Sequence, residues 1–97
     1  MSAYVIVDIT VTNPELYAEY IRVAPESIAR FGGRYIARGG QAECLEGPWQ
    51  PRRLVILEFD TYERAKAWWA SAEYSGPKKM RQAAATTKMV VVAGIDA

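Results

Sequence analysis

Three charged side chains fall inside stretches that otherwise read as strands: Asp8, Arg38 and Glu58. Charge in a largely covered strand is costly unless paired, so each is a candidate for chemistry. Asp8 and Glu58 would form an acid–base dyad if they met. Glu58 stands near the end of its strand and Asp8 mid-way along the neighbouring one, an offset of about four residues, or ~13 Å, which keeps them apart. Arg38 and Glu58 come closer, because a hairpin turning at Gly47 to Pro51 sets them on one face as diagonal neighbours. Two readings stay open for this pair. In one, Arg38 binds a substrate carboxylate while Glu58 orients it or acts as a base. In the other, the two form a structural ion pair at a seam between protomers.

The remaining candidates are aromatic: Tyr17, Tyr20, Trp68, Trp69 and Tyr74. Apolar walls carrying a few hydroxyls suit a small aromatic or terpenoid-like ligand, and the competing reading has these rings filling core and interface. Trp68 and Trp69 are adjacent on a helix and point about 100° apart, so only one faces the core, and Trp69 is expected inward. Tyr74 falls at a break between two helical pieces. The candidate ligand-binding set is therefore Tyr17, Tyr20, Arg38, Glu58, Trp69 and Tyr74.

Composition removes other chemistries. There is no histidine, hence neither the commonest metal ligand nor a base that titrates near neutrality, and no serine-based triad. Cys44 is the single cysteine. It forms no intrachain disulfide, lacks the usual base for a nucleophile and reads as a small residue in a strand. No phosphate loop or metal-ligand set is present, so neither metal nor cofactor is expected. Twelve basic against 11 acidic residues leave a net charge of +1, too little for phosphate-driven nucleic-acid binding or an electrostatic membrane anchor. Lys78, Lys79 and Arg81 read as a solvated helix face. Met1 to Thr10 lacks the pattern of a secretory signal, and with a lone thiol this leads to the expectation of a cytoplasmic protein.

The elements that must position these residues follow from periodicity. Tyr4 to Val11 alternates with β-branched residues and reads as a strand. Either Asn13 before Pro14, or Thr12 with Glu15, caps a helix. Its stripe runs Leu16, Tyr17, Tyr20, Val23, Ala24, Ile28 and Phe31, Pro25 is expected to kink or split it, and Gly32-Gly33 ends it. Arg34 to Arg38 reads as a strand, with a bulge expected at Gly39-Gly40, and Gln41 to Glu46 as further extended chain. Arg53 to Phe59 is the next strand. Asp60 or Thr61 caps a helix from about Tyr62 to Ala70, Ser71 to Pro77 breaks it, and Pro77 to Ala85 forms one more short helix. Lys88 to Ile95 is the last strand. The order β-α-β-β-α-β over residues 1–97 predicts a single α+β domain, a ferredoxin-like sandwich with helices on one face of an antiparallel sheet. The RNA-recognition module shares this order, but its third strand needs stacking aromatics and glycine, and Arg53 to Phe59 (RLVILEF) supplies neither set. Leu54 to Leu57 and Met89 to Ala93 are apolar on both faces, where a half-wetted sheet would alternate. The second face thus needs cover, and a homodimer packed through its sheet faces is expected.

Several segments together carry a family resemblance: Tyr4 to Thr10 with Asn13-Pro14-Glu15 and Tyr17, Arg30-Phe31-Gly32-Gly33-Arg34-Tyr35, Arg38-Gly39-Gly40, Glu46-Gly47 with Trp49, Arg53 to Phe59, and Ser71 to Tyr74. Over nearly its whole length the chain resembles the domain-of-unknown-function 1330 family of the dimeric α/β-barrel superfamily. The resemblance implies a barrel formed from two protomers' sheets and a pocket between sheet and helices. It implies no particular chemistry: superfamily relatives include cofactor-free monooxygenases, muconolactone-isomerase-like enzymes and haem-dependent chlorite dismutases, and fold does not fix function. The haem branch with a histidine ligand is excluded. Two function classes remain: a small-molecule-binding protein, with cofactor-independent catalysis as an option, and a non-catalytic structural or sensing homodimer.

Overall fold

The computed structural model describes residues 2–95. Strand β1 (Ala3–Val11) buries Ala3, Val5, Val7 and Ile9 on one face, as its alternation requires. Asn13 is the cap of helix α1 (Pro14–Arg30): its Oδ1 accepts from the Leu16 N–H at 3.2 Å, with Pro14 opening the first turn. Contrary to expectation, α1 runs unbroken through Pro25. A proline withholds one backbone N–H, and Tyr17, Ala24, Ser27 and Ile28, buried on both sides of it, hold the two halves against one surface. Gly32, at φ +78°, turns the chain out of the helix.

Strand β2 (Arg34–Arg38) and strand β3 (Arg53–Phe59) are joined by a long irregular loop, so the extended segment expected at Gln41 to Glu46 is not a strand. Cys44 lies in this loop, its thiol donating to the carbonyls of Glu46 and Gly47 at 3.0 and 3.1 Å. Helices α2 (Tyr62–Ala70) and α3 (Ala72–Ala84) follow. The break between them is a single residue, not the expected stretch of seven. Ser71 ends α2 by donating to the Trp68 carbonyl at 2.7 Å and starts α3 by accepting from the Tyr74 N–H at 3.1 Å. Strand β4 (Ala85–Ala93) follows α3 directly and begins three residues before the expected Lys88, since Ala85, Thr87, Met89 and Val91 continue the inward alternation.

The strands form one antiparallel sheet in the order β2-β3-β1-β4, the ferredoxin-like arrangement the element order predicts. The barrel is not borne out. The sheet is open and uncurled, with β2 and β4 as its edges, and the molecule is 17 Å along its thinnest axis against 34 and 32 Å along the others. That thickness fits one sheet and one helical layer. Apolar residues on both faces say that a sheet wants cover, not that it curls. Closure also needs edges that pair at a set tilt and stagger, and here the edges are a five-residue and a nine-residue strand.

All three helices lie on the face of Val5, Val7, Leu57 and Phe59, where the core forms with Ile28, Ala65, Trp68 and Tyr74. The other face carries Ile6, Leu54 and Ile56 half-buried and Ile36, Val90 and Val92 exposed. Among the described residues no helix is long and apolar enough to cross a membrane.

Candidate functional site

An irregularity in β2 creates the site. The β2–β3 register runs Arg34 with Glu58 and Tyr35 with Leu57, then slips, so that Ala37 meets Ile56 and Arg38 meets Val55. The bulge therefore sits between Tyr35 and Ala37, not at the expected Gly39-Gly40. In a regular strand, residues three apart point to opposite faces. The extra residue brings Tyr35 and Arg38 to the same, helix-covered face, where the guanidinium of Arg38 stacks 4.5 Å from the Tyr35 ring centre.

Arg53 opens β3 opposite Ile9, on that same face. Helix α1 contributes Tyr17 and Tyr20, three residues apart on one side. Helix α3 contributes Tyr74 and, two turns later, Arg81. All of these side chains but Tyr74, which stands behind Tyr20 and Arg81, border a cavity of about 30 Å³ floored by Val7, Val55 and Met89, room for one or two water molecules. Arg53 Nε donates to the Tyr17 hydroxyl at 3.1 Å. Arg81 Nε donates to the Tyr74 hydroxyl at 3.2 Å and its Nη1 to Thr87 Oγ1, while the hydroxyls of Tyr74 and Tyr20 lie 2.7 Å apart. Burial pushes the Tyr20 hydroxyl well above the ordinary tyrosine range, the neighbouring Tyr74 adds to this, and Arg81 opposes it without prevailing. Burial likewise raises Tyr35 against the pull of Arg38. Both therefore stay neutral donors at physiological pH.

Among the described residues the cavity wall thus holds three guanidinium groups and no carboxylate. They are graded in depth: Arg38 is exposed at the rim, Arg53 half-buried, and Arg81 only 3% exposed. No ion pair to Arg81 is found among the described residues.

A second, larger cavity of about 480 Å³ lies between α2, α3 and the β4 edge. It shares Trp68, Arg81 and Met89 with the first and adds Val5, Ala65 and Val91 as apolar wall, with Trp69 at its margin.

Of the residues singled out from sequence, Tyr17, Tyr20, Arg38 and Tyr74 come together here. Glu58 does not. It projects from the opposite face of the sheet and pairs with Arg34 at 2.8 Å, so the Arg38–Glu58 pair is absent, undone by the bulge. The four-residue offset between Glu58 and Asp8 holds, since their partners on the adjoining strand are Tyr4 and Leu54. Asp8 instead accepts from the Trp49 indole at 2.8 Å and from the Arg52 backbone N–H at 3.1 Å. Trp69 is 44% exposed and capped by the Lys78 ammonium at 3.7 Å, whereas Trp68 turns inward, 1% exposed. The expectation that Trp69 faces inward is therefore overturned. Packing decides for Trp68, which meets Tyr74 at 4.1 Å and Phe59 at 5.5 Å and donates its indole N–H to Ser27 Oγ at 3.2 Å.

Tyr35, Arg53 and Arg81 are the residues that sequence reasoning missed. Arg81 carried a usable signal: it follows Tyr74 by seven residues, on the same helical face. Tyr35 carried none, because its partnership with Arg38 depends on the bulge.

The family domain of unknown function DUF1330 matches residues 2–95. The chain belongs to that family. The fold of this DUF1330 chain is also that of solved structures at low identity. A protein of unknown function from Rhodopseudomonas palustris is 19% identical, with a TM-score of 0.79 over 97% of this chain and 82% of that one. SnoaB, a cofactor-independent oxygenase from Streptomyces nogalater, is 12% identical, with a TM-score of 0.67 over 96% and 92%. A dimeric protein of unknown function with a ferredoxin-like fold from Bacteroides fragilis is 17% identical, with a TM-score of 0.57 over 96% of both chains. No curated protein matches this DUF1330 chain in sequence.

Proposed function

We propose that this protein binds a small organic ligand between its sheet and its helices, at the cluster formed by Tyr17, Tyr20, Tyr35, Arg38, Arg53, Tyr74 and Arg81. The observation that carries this reading is the convergence of three guanidinium groups on one cavity with no carboxylate in its wall among the described residues. Such an arrangement is costly in a structural core and useful in a binding site, where neutral hydroxyls orient a ligand and guanidinium groups hold developing or permanent negative charge. SnoaB, which shares the fold, is a cofactor-independent oxygenase. That supports a place for a small molecule in this architecture, with this chain's own tyrosines and arginines supplying the polar contacts.

The open sheet face belongs to the same proposal. Its apolar residues, exposed at Ile36, Val90 and Val92, are covered by a second copy of the chain, since a two-fold contact buries one self-complementary surface twice. That a Bacteroides fragilis protein of like fold is dimeric supports a dimer.

The three tryptophans test the site. Trp68 borders both cavities, Trp69 the margin of the larger one, and Trp49 lies away from them on the loop between β2 and β3. A panel of small aromatic and aliphatic compounds, charged and neutral, is titrated while the three indole N–H signals are followed by NMR. The expected result is a saturable shift of the Trp68 signal with Trp49 unmoved. A panel that leaves Trp68 unmoved throughout, or moves all three signals alike, overturns the reading.

A further inference from the structure

The two cavities differ in size, and one charged side chain stands between them. The smaller is ringed by tyrosine hydroxyls and guanidinium groups. The larger is walled by Val5, Ala65, Trp68, Met89 and Val91, with Lys66, Gln82 and Thr87 also on its lining. Arg81 borders both. It is buried, and its guanidinium is met by two hydroxyl oxygens, of Tyr74 and Thr87. A guanidinium in that position keeps its charge, because arginine is not deprotonated in proteins. Among the described residues no carboxylate lines either cavity, so no acidic side chain there offsets it. A buried cation that pairs with hydroxyls and no carboxylate is a place where an anion gains more than it would in water.

Resting on the ligand-binding reading above, we propose that the ligand is an organic acid, its carboxylate held against Arg81 and its apolar body lying in the cavity between α2, α3 and β4. The size match is direct. The smaller cavity takes a group of one or two water volumes, the scale of a carboxylate, and the larger cavity of about 480 Å³ lies within the ordinary range for small-molecule sites. Arg38 at the rim and Arg53 at half depth extend the positive field outward from Arg81, which draws an anion inward.

The test is a matched pair of probes, 2-naphthoate and 2-naphthamide, equal in shape and differing in charge. Each is titrated into the full-length protein at pH 7 while the Trp68 indole signal is followed. A carboxylate gains charge-assisted hydrogen bonds from a guanidinium that the amide lacks, so naphthoate is expected to bind at least about tenfold more tightly than the amide. In Arg81→Gln the two affinities converge, and in Arg38→Gln, at an exposed position, the ratio falls by less. The comparison in the wild-type protein decides alone if Arg81→Gln does not fold. Equal affinities for acid and amide overturn the acid assignment and leave the pocket in place. So does a protein whose Trp68 signal answers to neutral panel compounds but not to naphthoate. A Trp68 signal that answers to nothing overturns the pocket and the acid together.

Discussion

The hydroxyl of Tyr74 meets two partners at once, Arg81 at 3.2 Å and Tyr20 at 2.7 Å, in a region closed to solvent. Removing that oxygen leaves a buried N–H of Arg81 without its acceptor, and an unmet buried donor costs about 1–3 kcal/mol. Tyr74→Phe is therefore expected to lower stability by about that amount in urea denaturation. Tyr20→Phe should cost less, because Arg81 keeps its contact with Tyr74, and a reversed order would show that the network is not centred on Tyr74. Gly39 makes a second point at this scale. It sits at φ +71°, and a Cβ there would collide with the Arg53 guanidinium at Nη1. Gly39→Ala must both strain the backbone, at about 1–3 kcal/mol, and displace the guanidinium. It is expected to lower the midpoint of thermal unfolding and also weaken naphthoate binding, whereas backbone strain alone would change only the first. The tyrosines and Arg38 were legible as residue types. Their neighbours Arg53 and Arg81 were not, because a basic residue on a helix or strand end looks the same whether it points to solvent or to a cavity.

Two junctions set how the elements meet. Ser71 closes α2 and opens α3 with one hydroxyl, and that tight joint directs Tyr74 and Arg81 towards the sheet. Loss of an N-terminal cap costs about 0.5–2 kcal/mol. Ser71→Ala should destabilise by that order in a denaturant titration, while Ser71→Asp, which keeps a cap acceptor, should recover most of it. The second junction is the loop between β2 and β3, fastened to β1 at Asp8. The Trp49 indole, then the Arg52 backbone N–H, hold the Asp8 carboxyl below its ordinary value of 3.8. A carboxylate with a lowered folded-state pKa contributes its stabilisation above the unfolded value and loses it as pH falls through the folded one. The Trp49 indole signal is thus expected to hold its position at neutral pH and to move as pH drops below about 3.8. In Asp8→Asn that acid transition should disappear. The same transition persisting in the variant would place its cause elsewhere.

At the scale of the molecule, one sheet face is covered by helices and the other is not. If a second copy covers it, Val92→Asp places a charge in a face meant to be buried. Sedimentation velocity at micromolar concentration should then show the wild-type chain as a dimer and the variant as a monomer, with the Trp68 titration unchanged. A wild-type monomer would remove the dimer from the proposal. Element order, the strand and helix types and the apolar demand on both sheet faces were all legible in the chain. Each depends on periodicity within ten or so residues, and β1 with its alternating valines and isoleucines is the plainest case. Three things were decided only by tertiary structure. The sheet stayed open, because closure is a relation between edges that no local pattern encodes. Trp68 rather than Trp69 turned inward, because a contact with Tyr74 and Phe59 settles a choice that helical periodicity leaves even. And Arg38 left Glu58 for Tyr35, because one extra residue in β2 reverses the face of everything after it, and that slip is fixed by pairing with β3.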